Sequence, residues 1–285
     1  MTIAPILLFS SNDFDEIDIN ESTKIRKIAN QELIDLFGVS VKFEDQLTKE
    51  INRKNNLPSI WEPFIHGPLH ELIKETQYPH YTLEAKDSAD IINLQFCIKV
   101  SGPHDVFCPV CVDGERSQTF IGQMELTRLK NNIKENRIID EAQLEKAKIL
   151  FEKLIAQKND QTRYIKIIDA FNTITNHSLP KAIRYLIGVG LLESLFVNNK
   201  KDELSLRFRL FGAYFLNLTG EKVSQEELKK IYKNRSTLAH GQYAEIDNNE
   251  MTRLIKLCQI SVHHEIMTDT SQTIEDDVFD ALGLS

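Results

Sequence analysis

Short runs of β-favouring residues alternate with turn signals over residues 1–120. The runs at 6–9, 81–84 and 91–100 have the length and composition of β-strands. One set of apolar residues recurs instead at helical spacing and predicts a helix: Ile25, Ile28, Ala29, Leu33 and Leu36. Residues 1–120 are therefore predicted to form a mixed α+β domain.

Beyond residue 120 the pattern becomes helical. The chain has no proline from there to Pro180, and Glu, Lys, Leu, Ile and Ala dominate it. A charged helix pattern at 140–157 fits either a connecting arm or a core element. We therefore predict an α+β protein in four parts: the domain 1–120, a helical connector 121–175, an all-α bundle 176–268 and an acidic tail 269–285.

Local signals place four helices in the predicted bundle. Pro180 suits the first turn of a helix that runs to about residue 197, and this helix is apolar nearly all round, so we expect it at the centre. Gly220 closes the second helix, and Ser224 with Glu227 forms a capping box for the third. The fourth is predicted from residue 250, with a cap supplied by Asn248 or Asn249.

Composition limits the function classes. A chain of 285 residues with 41% hydrophobic residues fits two domains. The net charge of −8 disfavours general coating of nucleic acid, so any RNA must be held by a local basic patch. The first apolar run lacks preceding basic residues and is expected to be a strand and not a signal peptide. The stretch 182–197 is interrupted by Arg184 and Glu193, so we expect a cytoplasmic protein without a membrane span.

The most informative motif is Tyr-x-x-Arg-Ser-x-x-x-His-Gly at 232–241. An imidazole that moves a proton and a guanidinium that holds a phosphate suffice to cleave RNA without metal. On a straight helix, however, Arg235 and His240 point about 140° apart and lie roughly 7.5 Å apart along the axis. Either the last turn loosens before Gly241, or the long arginine wraps back, or a second copy completes the site.

A structural interpretation of the same residues stays open. Arg235 would then pair with Glu193, a carboxylate within an apolar helix that needs a partner, and His240 would close the helix C-terminus. Nearby basic residues form either an RNA-binding surface or a solvated helix face: Lys229, Lys230, Lys233, Arg207 and Arg209. Tyr232 and Tyr243 carry rings able to stack on a base, although Tyr232 is in phase with Leu228 and fits the core.

The motif and the buried-helix Glu193 resemble the Apea-like branch of the HEPN (higher eukaryotes and prokaryotes nucleotide-binding) superfamily, and residues 25–36 resemble its leader more faintly. The resemblance implies a dimeric, metal-independent endoribonuclease that leaves 2′,3′-cyclic phosphate ends. His240 and Arg235 would be catalytic, and Glu193, Ser236 and Tyr232 would support them.

The family further implies bacterial antiviral defence by abortive infection, or a toxin, with a sensor domain at residues 1–120 that a ligand or protein triggers. Ser236 stands where many HEPN ribonucleases carry Asn, Asp or His, and it marks the Apea-like branch. The alternative is a non-catalytic HEPN module that dimerises or binds a nucleotide, RNA or a protein.

A cysteine pair lies in the first domain. Cys108 and Cys111 have the spacing of a zinc knuckle, and His104 and Cys97 are the nearest residues able to complete a structural zinc site. The alternative is a hairpin turn with buried, reduced thiols. No cofactor is expected for catalysis.

Overall fold

The computed structural model describes residues 2–6, 13–29, 80–103, 106, 108, 110–112, 118–120, 138–157, 161–177, 179–197, 203–268, 278 and 280. The part described is a mixed α+β protein, as predicted. Its contacts divide it into two compact units. The first comprises Met1–Ile98 with Asp105–Lys148, and the second comprises Lys99–His104 with Ile149–Ser285.

The first unit contains an antiparallel sheet with the strands β1 (Thr2–Ile6), β2 (Glu16–Asn20), β3 (Thr23–Ile28), β4 (His80–Ala85), β5 (Val110–Val112) and β6 (Gln118–Phe120). The strand order in the sheet is β2-β3-β4-β1-β5-β6. Strand β4 is buried on both faces from Tyr81 to Ala85. The buried carboxylate of Glu84 accepts a hydrogen bond of 2.8 Å from Arg26 Nε, which offsets the cost of its burial.

Two predictions in this unit are confirmed and two are wrong. The strands expected at the N-terminus and at 81–84 are present as β1 and β4, although residues 7–9 lie outside the described part. The helix expected from residue 25 is wrong at its start, because 23–28 form strand β3 with Thr23 and Ile25 buried at alternate positions. Its remainder, from residue 30, lies outside the described residues.

The strand expected at 91–100 is instead helix α1 (Ser88–Ser101). An apolar run that is buried all round cannot be assigned to helix or strand by periodicity alone. The local signal that identifies the helix is Asp87, whose Oδ1 accepts hydrogen bonds from the amides of Ala89 and Asp90, at 3.0 and 3.1 Å.

Six further helices follow: α2 (Glu141–Ala156), α3 (Gln161–Thr175), α4 (Lys181–Phe196), α5 (Leu204–Leu218), α6 (Gln225–Ala239) and α7 (Asn248–Met267). Helix α2 is not purely polar, because it buries an apolar stripe: Leu144, Ala147, Leu150, Phe151 and Leu154. Residues 149–175 cluster with the later helices, so the segment predicted as a connector divides at Lys148. Its role as a connector stays a prediction.

Helix α4 occupies the centre of the helical packing, as its apolar sequence predicts. It packs against α3, α5, α6 and α7. Its approach to α7 is close at Gly188, where a Cβ atom would lie 2.9 Å from Leu254 Cδ2. Among the described residues, no helix is both long and apolar enough to span a membrane.

The predicted ends of α5 and α6 are confirmed, whereas the predicted cap of α7 is wrong. Gly220 adopts the left-handed conformation (φ 85°) after α5, and Ser224 Oγ accepts from the Glu227 amide at 3.0 Å. The cap of α7 is Asp247, whose Oδ1 accepts from the Glu250 amide at 2.8 Å, so neither asparagine serves. In the predicted acidic tail, Val278 is buried.

Candidate functional site

The motif occupies the end of helix α6, which stays regular to its last residue. The His240 amide still bonds the Ser236 carbonyl at 3.1 Å, the hydrogen-bond pattern of an intact helical turn. Gly241 then turns the chain with φ 71°, and the Gln242 amide returns to the Thr237 carbonyl at 3.1 Å. The last turn therefore does not loosen ahead of Gly241, and the first of the three arrangements considered for the motif is not found.

The two charged residues of the motif consequently diverge. A regular helix directs Arg235 and His240 about 140° apart around its axis and separates them by roughly 7.5 Å along it. Arg235 faces α4, whereas His240 is exposed at the C-cap. Within a single chain, the helix geometry therefore does not bring a phosphate bound to Arg235 close to His240.

Arg235 is held by two side chains. Its Nη2 lies 3.8 Å from Glu193 Oε2, at the outer limit of an ion pair, and its guanidinium carbon lies 5.7 Å from the centroid of the Tyr232 ring. One third (33%) of the Arg235 side chain remains exposed. A guanidinium oriented by a carboxylate and a ring, with one side open to solvent, is suited to receive an anion.

The ring of Tyr232 lies between the Arg235 guanidinium and helix α5. Its ring packs on Phe208 of α5 with the centroids 5.3 Å apart. Burial raises the pKa of the Tyr232 hydroxyl, the negative charge of Glu193 raises it further, and Arg235 opposes this rise. The phenol therefore stays protonated at neutral pH, so Tyr232 acts here as a packing and hydrogen-bonding group and not as a base.

Glu193 supplies the negative charge of the cluster from helix α4. Its side chain is 20% exposed, but Oε2 itself is shielded from solvent. The resemblance implies that this carboxylate supports Arg235 and His240, and in the structure it lies beside Arg235. The described structure thus groups Glu193, Tyr232 and Arg235, and it leaves His240 outside that cluster.

The other two motif residues complete the helix end. Ser236 is half-buried, and its carbonyl accepts from the His240 amide. His240 lies where the helix dipole favours a cation. Its exposure leaves the imidazole accessible to a ligand or to a second protein molecule.

The predicted basic surface is partly neutralised by acidic neighbours. Lys229 pairs with Glu226 at 3.2 Å, and Lys230 pairs with Glu250. Lys233 is exposed on the same helix. On α5, Arg207 lies over the Phe211 ring at 5.8 Å from its centroid, and Arg209 Nε donates to the Ser205 carbonyl at 3.1 Å. Any attraction of RNA to this surface therefore rests on fewer free charges than the sequence count indicates.

The sequence patterns do not indicate the clamp of charged side chains that fixes the start of α6. Arg253 of α7 donates from Nε to Glu227 Oε1 at 2.7 Å, from Nη2 to the Lys222 carbonyl at 2.8 Å, and from Nη1 to Glu221. Glu227 is the residue expected to complete a capping box with Ser224. No local pattern links Arg253 to a residue 26 positions away.

Of the four residues predicted to bind zinc, the structure describes the side chains of Cys97 and Cys108. Cys97 and Cys108 are both buried, and burial raises the pKa of the Cys97 thiol. The Cys108 amide donates to Gln95 Oε1 at 2.5 Å. The side chains of His104 and Cys111 lie outside the described part, and the remaining described residues contain no cluster of three potential ligands. The four-ligand zinc set stays a prediction.

Comparison with known proteins identified no relative of this chain. No family model matches the chain, and neither the curated proteins nor the solved structures contain a match.

Proposed function

We propose that this protein is a metal-independent endoribonuclease of the HEPN type, active as a homodimer. The observation that carries the proposal is the cluster of Glu193 and Tyr232 around Arg235, on the same helix that ends in the exposed His240. An oriented guanidinium and an accessible imidazole are the two groups that such a reaction requires.

In the proposed reaction, His240 moves protons and Arg235 binds charge. The ribose 2′-oxygen attacks the adjacent phosphorus as its proton is removed, and the 5′-oxygen leaves with a proton. The products are a 2′,3′-cyclic phosphate and a 5′-hydroxyl. His240 is assigned the proton transfers because imidazole is the side chain that most often serves as a general acid and base. Arg235 donates two hydrogen bonds to the phosphoryl oxygens, where negative charge grows.

A second copy is proposed because the guanidinium of Arg235 lies against Glu193 and Tyr232, whereas His240 of the same chain points elsewhere. With α6 regular to Ala239, the two side chains diverge by about 140°. A twofold axis close to this helix end would place Arg235 of one copy opposite His240 of the other, giving two equivalent sites. Dimerisation would thus be part of catalysis.

The two-part organisation extends the proposal. The bundle of α4 to α7 would be the effector domain, and residues 1–120 would sense a ligand or protein trigger, in antiviral defence by abortive infection or as a toxin. This assignment rests on the resemblance of the motif to Apea-like proteins.

One alternative is favoured by a specific observation. The Arg235–Glu193 pair at 3.8 Å bridges α6 and α4, and His240 caps a helix, and both are also ordinary structural roles. A non-catalytic module that dimerises or binds a nucleotide, RNA or protein would have the same arrangement.

The two functions are separated by incubating the full chain with total tRNA in excess EDTA and mapping the cut ends chemically. The wild type is expected to leave cyclic phosphate ends, and His240→Ala and Arg235→Ala to leave the RNA intact while folding normally. Gln242→Ala, at an exposed position beside the motif, is the matched control and should cleave. Arg235→Lys retains the charge beside Glu193, so its inactivity would separate lost chemistry from lost folding. Cleavage by His240→Ala would exclude the proposal, and absence of cleavage by every sample would favour the binding module.

A further inference from the structure

Tyr243 is the most exposed large side chain with apolar character in the described part of the chain. Its relative exposure is 85%, and the other exposed large hydrophobic residues found there are all aliphatic. Because the Tyr243 ring stays in water, it contributes little to the folding of the single chain, and both of its faces are open to a ligand.

The chain segment that carries Tyr243 is fixed at both ends. At the start, Gly241 turns the chain and the Gln242 amide bonds the Thr237 carbonyl at 3.1 Å. At the end, Ile246 is buried and Asp247 caps α7. The ring is therefore displayed from a short connection between two helices, whose anchored ends limit the entropy lost when a ligand binds.

The chain segment around the ring is not by itself an apolar docking patch. The residues beside it on the segment are Gln242, Ala244 and Glu245, and the first and last of these are exposed and polar. A docking surface requires a contiguous apolar area, which this segment does not offer. A flat ring amid polar groups is instead suited to stack on another planar, water-compatible group such as a nucleobase.

We infer that Tyr243 is a substrate-binding residue that stacks on an unpaired base of single-stranded RNA, next to the phosphate that His240 serves. This inference rests on the proposed function. The two residues are three positions apart, so their Cα atoms lie within about 11 Å of each other. That separation lets the ring reach a nucleotide adjoining the cleaved bond. Because every base offers a π-face, the contact selects unpaired RNA over duplex RNA and not one sequence over another.

The test is binding of a fluorescent single-stranded oligonucleotide with 2′-O-methyl riboses, which lacks the attacking hydroxyl and cannot be cut. The full-length protein is titrated at low salt. Tyr243→Ala and Tyr243→Leu are expected to bind about 5- to 150-fold more weakly, which corresponds to about 1–3 kcal/mol of lost stacking. Tyr243→Phe keeps the ring and should match the wild type, as should the neighbouring control Gln242→Ala. On a duplex of the same sequence, Tyr243→Ala should make no difference.

A second series locates the base. Single bases of the probe are removed in turn to leave abasic positions. At one position the loss should weaken the wild type but leave Tyr243→Ala unchanged, and that position should adjoin the cut mapped on unmodified RNA. Equal binding by Tyr243→Ala and the wild type, or no binding of the probe by the wild type, would overturn the inference. Tyr243-dependent binding without RNA cleavage would instead support the stacking contact alone and remove the proposed enzyme activity.

Discussion

Replacement of Gly212 by alanine should destabilise the helical unit, although alanine is the better helix former. Gly212 lies in α5, where a Cβ atom would sit 2.7 Å from Cδ2 and Cε2 of Phe196 and 3.0 Å from Leu228 Cδ1. Carbon atoms in contact normally lie about 3.5–4.0 Å apart, so the ring would have to move by about 1 Å. Phe196 is fully buried and packs on Phe208 and Phe215, at centroid distances of 5.6 and 5.9 Å, so it has little room to move.

The expected change in the free energy of unfolding is the difference between two opposing effects. Alanine in a helix interior is favoured over glycine by about 1 kcal/mol. Overpacking a filled core costs about 1–3 kcal/mol, and a ring held by two other rings belongs in the upper half of that range. Gly212→Ala should therefore lose about 1–2 kcal/mol in the free energy of unfolding. Gly190 of α4 is the matched control, because a Cβ atom there meets nothing within 4 Å, so Gly190→Ala should gain about 0.5–1 kcal/mol.

Urea unfolding followed by circular dichroism at 222 nm measures both changes. The two variants should shift the midpoint in opposite directions with unchanged slopes. Because Phe208 also packs on Tyr232, Gly212→Ala should lower RNA cleavage as well, whereas Gly190→Ala should not. If Gly212→Ala were as stable as Gly190→Ala, the close packing of α5 against α4 and α6 would be refuted.

Three further predictions concern the helix ends and the charged clamp. Asp247→Ala removes the cap of α7 and should cost about 1 kcal/mol in thermal or urea unfolding, whereas Asn248→Ala should cost almost nothing. Gly241→Ala should cost about 1 kcal/mol because φ is 71° there, while open space around the Cβ position excludes a clash, and Gly241→Asn should cost less in the same assay. The hydrogen bond from Lys256 lowers the pKa of Glu221 below its ordinary value of 4.5, so this carboxylate binds protons less readily when folded. Its stabilising contribution should be complete above that value and disappear as the pH falls through the lowered pKa, and Lys256→Met should flatten the acid limb of stability against pH.

Helix boundaries were predictable where the signal is local. Gly220 and Ser224 act through their own backbone geometry or through an amide three residues away, so their meaning does not depend on the rest of the fold. Pro180 likewise marks the start of α4, although it is the N-cap and not part of the first turn. The prediction of a strand at 91–100 was wrong because a run that is buried on all sides has no polar face, so its pattern does not distinguish a helix from a strand. The prediction was also wrong at the start of α7, where the cap is Asp247 and not one of the two asparagines that follow it.

The candidate site was predictable in part for a similar reason. Glu193 lies within an apolar helix, so physical cost alone demands a partner, and Arg235 proved to be that partner. The packing of Phe208 on Tyr232 and the reach of Arg253 to Glu227 depend on the register between helices. Such register is set by the sum of many side-chain contacts, which no short motif encodes.

Mixing two inactive variants tests the central claim most directly. Copies carrying Arg235→Ala and copies carrying His240→Ala are co-expressed with different tags, and their RNA cleavage is compared with that of each variant alone. If each site takes Arg235 from one copy and His240 from the other, a mixed dimer keeps one intact site. Random pairing then restores about a quarter of the wild-type activity. An active wild type together with a mixed sample as inactive as its parents would contradict the composite site.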